Sequence, residues 1–206
     1  MTSAAHARLS MTQVLICGAA IVTLSMGIRH GFGLWLQPIT MERGWTREHF
    51  AFAIAIQNIT WGVAGLFAGM VADRFGAYRV LLAGGVIYAL GLALMALAPT
   101  PLAFTATAGV LLGIAQACTT YAVVYGVLGR NIEPAKRSWA MGVTAAAGSF
   151  GQFLMVPVEN GLINGTSFLG LRSDGVGWQN ALFVLAAMAL LILPLAAGLR
   201  ERGLEG

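Results

Sequence analysis

Apolar residues fill six long runs of this chain, separated by short polar or Gly/Pro-rich breaks. The runs predict helices over residues 11–38, 49–71, 80–98, 101–128, 139–163 and 178–199. Each is close to or above the roughly 20 residues that a helix needs to cross a bilayer core at about 1.5 Å per residue. A tail over 1–10 and a short end over 200–206 flank them. Pro99, Thr100 and Pro101 separate the third and fourth runs, and Thr46 is placed to cap the second helix. The stretch from Gly165 to Gly177 reads as a polar, Gly-rich loop. Near the far end of the fifth run stand Pro157, Glu159 and Asn160. Charge at mid-bilayer is costly, so that helix is expected to end early, at interface depth.

Composition turns this pattern into a fold class. Hydrophobic residues make up 58% of the chain and charged residues 10%, against about 25% charged in soluble domains. So little charge could not cover a water-facing surface, and the apolar side chains must face lipid. The expected fold is all-α, with six transmembrane helices in a lipid bilayer. The 27 glycines suit it, since small residues let membrane helices approach closely.

The net charge of +4 has its source in the connecting loops. If the N-terminus is cytoplasmic, eight basic residues lie inside: Arg8, Arg74, Arg79, Arg130, Lys136, Arg137, Arg200 and Arg202. Three lie outside, namely Arg43, Arg47 and Arg172, and Arg29 falls within a helix. That bias predicts both termini on the cytoplasmic side. No basic patch is interleaved with aromatic residues, so no nucleic-acid partner is expected. Cys17 and Cys118 sit in apolar runs and give no disulfide framework or metal-ligand spacing. No nucleophile, metal or phosphate-cradling motif appears, and neither an enzyme nor a cofactor is expected.

The turn after the second helix is specific. It reads Gly69-Met70-Val71-Ala72-Asp73-Arg74-Phe75-Gly76-Ala77-Tyr78-Arg79. This resembles the cytoplasmic signature of the major facilitator superfamily, with Tyr78 where a second basic residue is usual. Gly69 would permit close helix approach and Gly76 a tight turn, while Asp73 would meet helix N-terminal dipoles. Arg74 and Arg79 would anchor the turn. Gly44-Trp45-Thr46-Arg47 is similar to the monocarboxylate and oxalate/formate branches, and Pro134, Arg137 and Gly142 also match family positions. The resemblance implies the N-terminal six-helix half of a twelve-helix transporter, built as a 3+3 inverted repeat. It implies alternating-access transport of a small organic anion, such as a monocarboxylate, across the cell's inner (plasma) membrane. The partner would be a C-terminal six-helix half or a second copy. A chain resembling one half alone is expected to be a fragment, and the other reading is a non-transporting membrane interaction protein.

Arg29 is the leading substrate-path candidate. It lies in Gly27-Ile28-Arg29-His30-Gly31-Phe32-Gly33, roughly 24 Å along the first helix if that starts near Gln13. The glycines should loosen the helix there. Its guanidinium fork suits a carboxylate; snorkelling to the interface or pairing with Glu159 is the competing role. His30 could titrate near neutral pH. No intramembrane acid is evidently placed to carry protons. By the resemblance, Gln57, Gln116, Tyr121, Tyr125 and Gln152 lie near the path; each could equally be a hydrogen bond that ties helices together. The run from Gly142 to Gly151 reads as close packing.

Overall fold

The structure, a computed structural model, describes residues 9–201. Arg8 and Arg202, counted in the charge bias, lie outside the described residues. Six helices are long and apolar enough to span a membrane: α1 (Met11–Arg43), α2 (Arg47–Phe75), α3 (Ala77–Leu97), α4 (Pro101–Asn131), α5 (Pro134–Asn164) and α6 (Trp178–Ala197). Several run past the predicted ends, because residues such as Arg43, Asp73 and Asn131 are polar yet still helical. An apolar-run reading detects only the part that needs lipid.

Local chemistry sets the helix starts. Ser10 caps α1 by accepting from the Gln13 amide at 3.2 Å. Thr46 caps α2, and His49 closes the capping box. Thr100 caps α4, with Pro101 at the first helical position. Between α2 and α3 a single residue makes the turn. Gly76 has φ of 92°, a conformation that L side chains rarely adopt, and its N–H still reaches Ala72 O.

The helices alternate in direction. The carboxyl ends of α2, α4 and α6 therefore meet at one end of the bundle, here called the Asp73 end. Arg43, Trp45 and Trp178 lie at the opposite end. α1 packs along α5 and α2 along α4, while α3 packs against both α4 and α6. Exchanging helices 1–3 with 4–6 maps the α1–α5 pair onto α4–α2 and α3–α6 onto itself, as a 3+3 repeat requires. The α1–α5 crossing depends on missing side chains. A Cβ on Gly151 would strike the Thr23 backbone, and one on Gly27 would strike Met155 and Gly151 O. Thr23 Oγ1 donates across this contact to Ala147 O at 3.0 Å. Within the run expected to pack closely, Gly148 and Gly151 do so, whereas Gly142 faces open space.

Burial is uneven. Half or more of the most apolar stretches of α3 and α4 is buried (50% and 56%), but only 17% of that of α2 and 22% of that of α5. Phe52, Ile59, Leu66, Phe150 and Phe153 are all more than half exposed. These two helices present broad apolar faces that nothing in the bundle covers.

Two expectations need correction. The fifth helix, predicted over 139–163, does not end early. Proline inside a helix removes one N–H, and here the helix continues to Asn164 with Glu159 fully buried. The loop before α6 is also more ordered than expected. It holds a hairpin, β1 (Gly165–Phe168) with β2 (Leu171–Asp174), turned by Leu169 and Gly170, both at positive φ. The hairpin lies outside the spans, and the fold remains all-α across the membrane.

Candidate functional site

α1 and α4 are both irregular near the predicted path residues. α1 tightens into a 3₁₀ turn over Gly31–Trp35. α4 carries a π-helical stretch over Thr105–Leu111 and breaks at Thr120, whose backbone is extended. Non-helical backbone at membrane depth is tolerated where it is buried in protein or lines a water-filled cavity. The irregular parts of α1 and α4 lie close to the predicted path residues.

Arg29 is the last arginine before the 3₁₀ turn. Its Nη2 donates to Asn58 Oδ1 on α2. Its guanidinium carbon lies 4.5 Å from the centre of the Trp61 ring, a cation–π contact. The charge is thus held by an amide and a ring, with no acid in ion-pair contact among the described residues. The expected alternative partner, Glu159, is not one: the two salt bridges among the described residues involve Arg130 instead. An open pocket of about 410 Å³ is lined by Arg29, His30, Phe32, Gly33, Phe50 and Gln57, among others. His30 is exposed and shares this pocket although it follows Arg29 directly. A second open pocket of about 410 Å³ includes Trp61, Gly62, Gly65, Thr120 and Tyr121 in its walls. Trp61 donates to Thr120 Oγ1 at 3.1 Å, so the break in α4 is fastened to α2. The Arg29–Trp61 pair stands between the two pockets.

The other candidates separate by role. Gln57 is 1% exposed and donates to Ala108 O at 2.7 Å, which ties α2 to the π-helical stretch. Tyr121 and Tyr125 stack on α4 with ring centres 5.1 Å apart. The Tyr121 hydroxyl occupies the space that a side chain on Gly148 would fill, and Tyr125 Oη donates to Met141 O at 3.3 Å. Gln152 is half-buried on α5, in the wall of neither pocket. Gln116 is completely buried. Neither of its amide atoms has a hydrogen bond of standard geometry, although the Tyr88 hydroxyl is near enough to interact with it.

Sequence reasoning missed two residues here. Trp61 carries no signal in one sequence, because an aromatic residue in an apolar run reads as lipid-facing. Glu159 did carry a signal, a charge inside a helical run, but was placed at the interface.

The signature turn forms a separate ionic group at the Asp73 end. Arg130 Nη1 donates to Asp73 Oδ1, and Nη2 donates to Glu201 Oε1 at 2.9 Å. Asn131 Nδ2 donates to Glu201 Oε2 at 2.9 Å and its Oδ1 accepts from the Leu9 amide. Asp73 therefore meets an arginine of α4. Gly69 lies 3.6 Å from Ala122 O in ordinary contact. Arg74 lies over the Phe75 ring, and Arg79 borders an apolar groove between α2, α3 and α4.

Comparison with known proteins fits this geometry. Mouse monocarboxylate transporter 11 is 27% identical over 91% of the chain, and mouse monocarboxylate transporter 14 is 27% identical over 81%. The matches cover 39% and 30% of those proteins, so the chain spans two fifths or less of their length. Multidrug resistance protein MdtH of Proteus mirabilis is 41% identical over a shorter stretch, 29% of the chain and 15% of that protein. The family model of the Major Facilitator Superfamily matches residues 15–204. With six spanning helices in this arrangement and a match along nearly its whole length, the chain belongs to the Major Facilitator Superfamily.

Proposed function

We propose that this bundle forms one side of a secondary transporter for a small organic anion. The observation that carries the reading is Arg29, a guanidinium at an open pocket with no acid paired to it among the described residues. An anion there would gain a fork-shaped, charge-assisted contact. The names of the relatives, monocarboxylate transporters, support a carboxylate cargo. Transport would proceed by alternating access, the bundle rocking against a second six-helix bundle. The uncovered apolar faces of α2 and α5 support such a partner, a C-terminal half or a second copy. The ionic group around Asp73, Arg130 and Glu201 would hold one of the two states. Arg74, Arg79, Arg130, Lys136 and Arg137 share one end of the bundle, which supports a cytoplasmic Asp73 end in the plasma membrane.

The test is uptake of labelled monocarboxylates and dicarboxylates into vesicles. The chain is measured alone and with a second six-helix bundle, each with Arg29 intact or as Arg29→Ala. Uptake of one class that collapses in Arg29→Ala is expected. Uptake that does not change in Arg29→Ala would exclude the anion site, and folded protein without uptake in either setting would favour a non-transporting interaction protein.

A further inference from the structure

The arginines at the Asp73 end are not used alike. Arg130 is matched by Asp73 and Glu201. Arg74 and Arg79 are exposed and take part in neither salt bridge among the described residues. Arg79 stands instead at the mouth of the apolar groove between α2, α3 and α4. Arg74 lies 5.2 Å from the centre of the Phe75 ring, which forms the same rim. The groove holds about 540 Å³, and its walls are apolar apart from Arg79. Small residues make the hollow, Ala64 and Ala68 on α2 and Ala83 on α3. Phe67, Val71 and Phe75 are exposed along its α2 wall, so it opens outward. Behind it α3 and α4 touch, since a Cβ on Gly84 would lie 2.6 Å from Cys118 Cβ.

Length tells what fits there. Ala64 and Phe75 are eleven residues apart, roughly 16 Å along α2. That is about half of a hydrocarbon core roughly 30 Å thick. The groove therefore runs from the end of the bundle to about mid-membrane, the depth of one leaflet. A spanning helix of a partner would follow α2 along its whole length instead. The stripe suited to that is Phe52, Ile59 and Leu66. At about 3.6 residues per turn it faces away from Ala64, Ala68, Val71 and Phe75. The pocket that holds Trp61 takes Gly62, Gly65 and Leu66 from α2 and shares no residue with the groove. The groove is thus separate both from that pocket and from the uncovered stripe.

We propose that the groove is a binding site for an anionic phospholipid of the leaflet at the Asp73 end. One acyl chain lies along it, against Phe67, Val71 and Ile114, and the phosphate meets Arg79 and Arg74. Guanidinium groups without an acid of their own give charge-assisted hydrogen bonds to phosphate oxygens, and their fork matches that geometry. The tail is as apolar as the walls and supplies fit without a preference for any headgroup. The preference for an anion comes from the two arginines.

The experiment places the full chain in phosphatidylcholine nanodiscs containing a small fraction of phosphatidylglycerol or phosphatidylcholine with a diazirine in the acyl chain. After illumination the adducts are mapped by mass spectrometry. With the phosphatidylglycerol probe we expect adducts concentrated on Phe67, Val71 and Ile114 over Phe150 and Phe153, which are exposed on α5. The phosphatidylglycerol-to-phosphatidylcholine ratio in the groove should fall about fivefold in Arg79→Gln, and close to one when Arg74→Gln is added. Ala83→Phe should fill the groove and remove its adducts, while those on α5 persist and report an intact bundle. Adducts spread evenly over the groove and α5 would make the groove ordinary lipid-facing surface and overturn the proposal. A ratio unchanged in the double variant would overturn it as well. A groove that neither probe labels also overturns it, and a disulfide between Cys118 of two copies would then identify a second copy as the occupant.

Discussion

Two groups of charge among the described residues are built on opposite plans. At the Asp73 end, Arg130 is matched by Asp73 and Glu201, and Asn131 completes Glu201. In the interior, Arg29 is held by an amide and an indole ring, and the Glu159 carboxyl has no hydrogen-bond partner among the described residues. The first plan satisfies each group and fastens three helix ends together. The second leaves charge available for something that arrives later. A protein can be stable with the first kind alone; the second kind is costly and is expected where a ligand or proton completes it.

The contrast predicts opposite responses to the loss of one charge. The largest effect is expected at Arg130. Arg130→Ala leaves Glu201, whose side chain is 9% exposed, without its cation. Breaking a partly buried pair in this way should cost about 2–4 kcal/mol, read as a lower unfolding temperature in detergent. Arg130→Lys should recover only part of this, because a point charge cannot serve both acids as the fork does.

Arg29→Gln should show the reverse profile. Its thermal stability should stay near that of the wild type, while anion affinity falls about 10–100-fold, or about 1.4–2.7 kcal/mol. Large destabilisation without a change in binding would make Arg29 a structural residue and erase the contrast.

Glu159→Gln removes a buried carboxyl that has no partner, with little change in volume. Stability should rise, by up to about 1 kcal/mol. A loss of several kcal/mol in a melting experiment would mean that the carboxyl is already satisfied.

The smallest effect belongs to Asp73→Asn. The Asp73 side chain is 66% exposed, so its pair with Arg130 should contribute about 0–1 kcal/mol. The same change should alter transport rate more than stability if the pair holds one conformational state.

Much of this was legible in the chain. The helix count followed from apolar runs because lipid permits only backbones that satisfy themselves. The Thr46 cap, the Pro101 start and the Gly76 turn are local, and local chemistry is written in neighbouring residues. The 3₁₀ turn falls among the glycines that promised a loosened helix. Partners were less legible. Nothing in the sequence tells Arg29 to choose Asn58 and Trp61 over Glu159, or Asp73 to choose Arg130, since these residues meet only through helix packing. Glu159 shows the limit well. Its charge within an apolar run suggested that the helix stops early, but α5 continues to Asn164 with the carboxyl against Gly31 of α1.

By itself, then, the sequence determined a membrane-spanning six-helix chain, its turns and its family signature, all of which depend on short-range patterns and on the solvent that each segment requires. Only the tertiary structure decided which charges are paired and which are left open. That choice depends on how closely α1 and α5 approach at Gly27 and Gly151, and distances between segments far apart in the chain are set by packing.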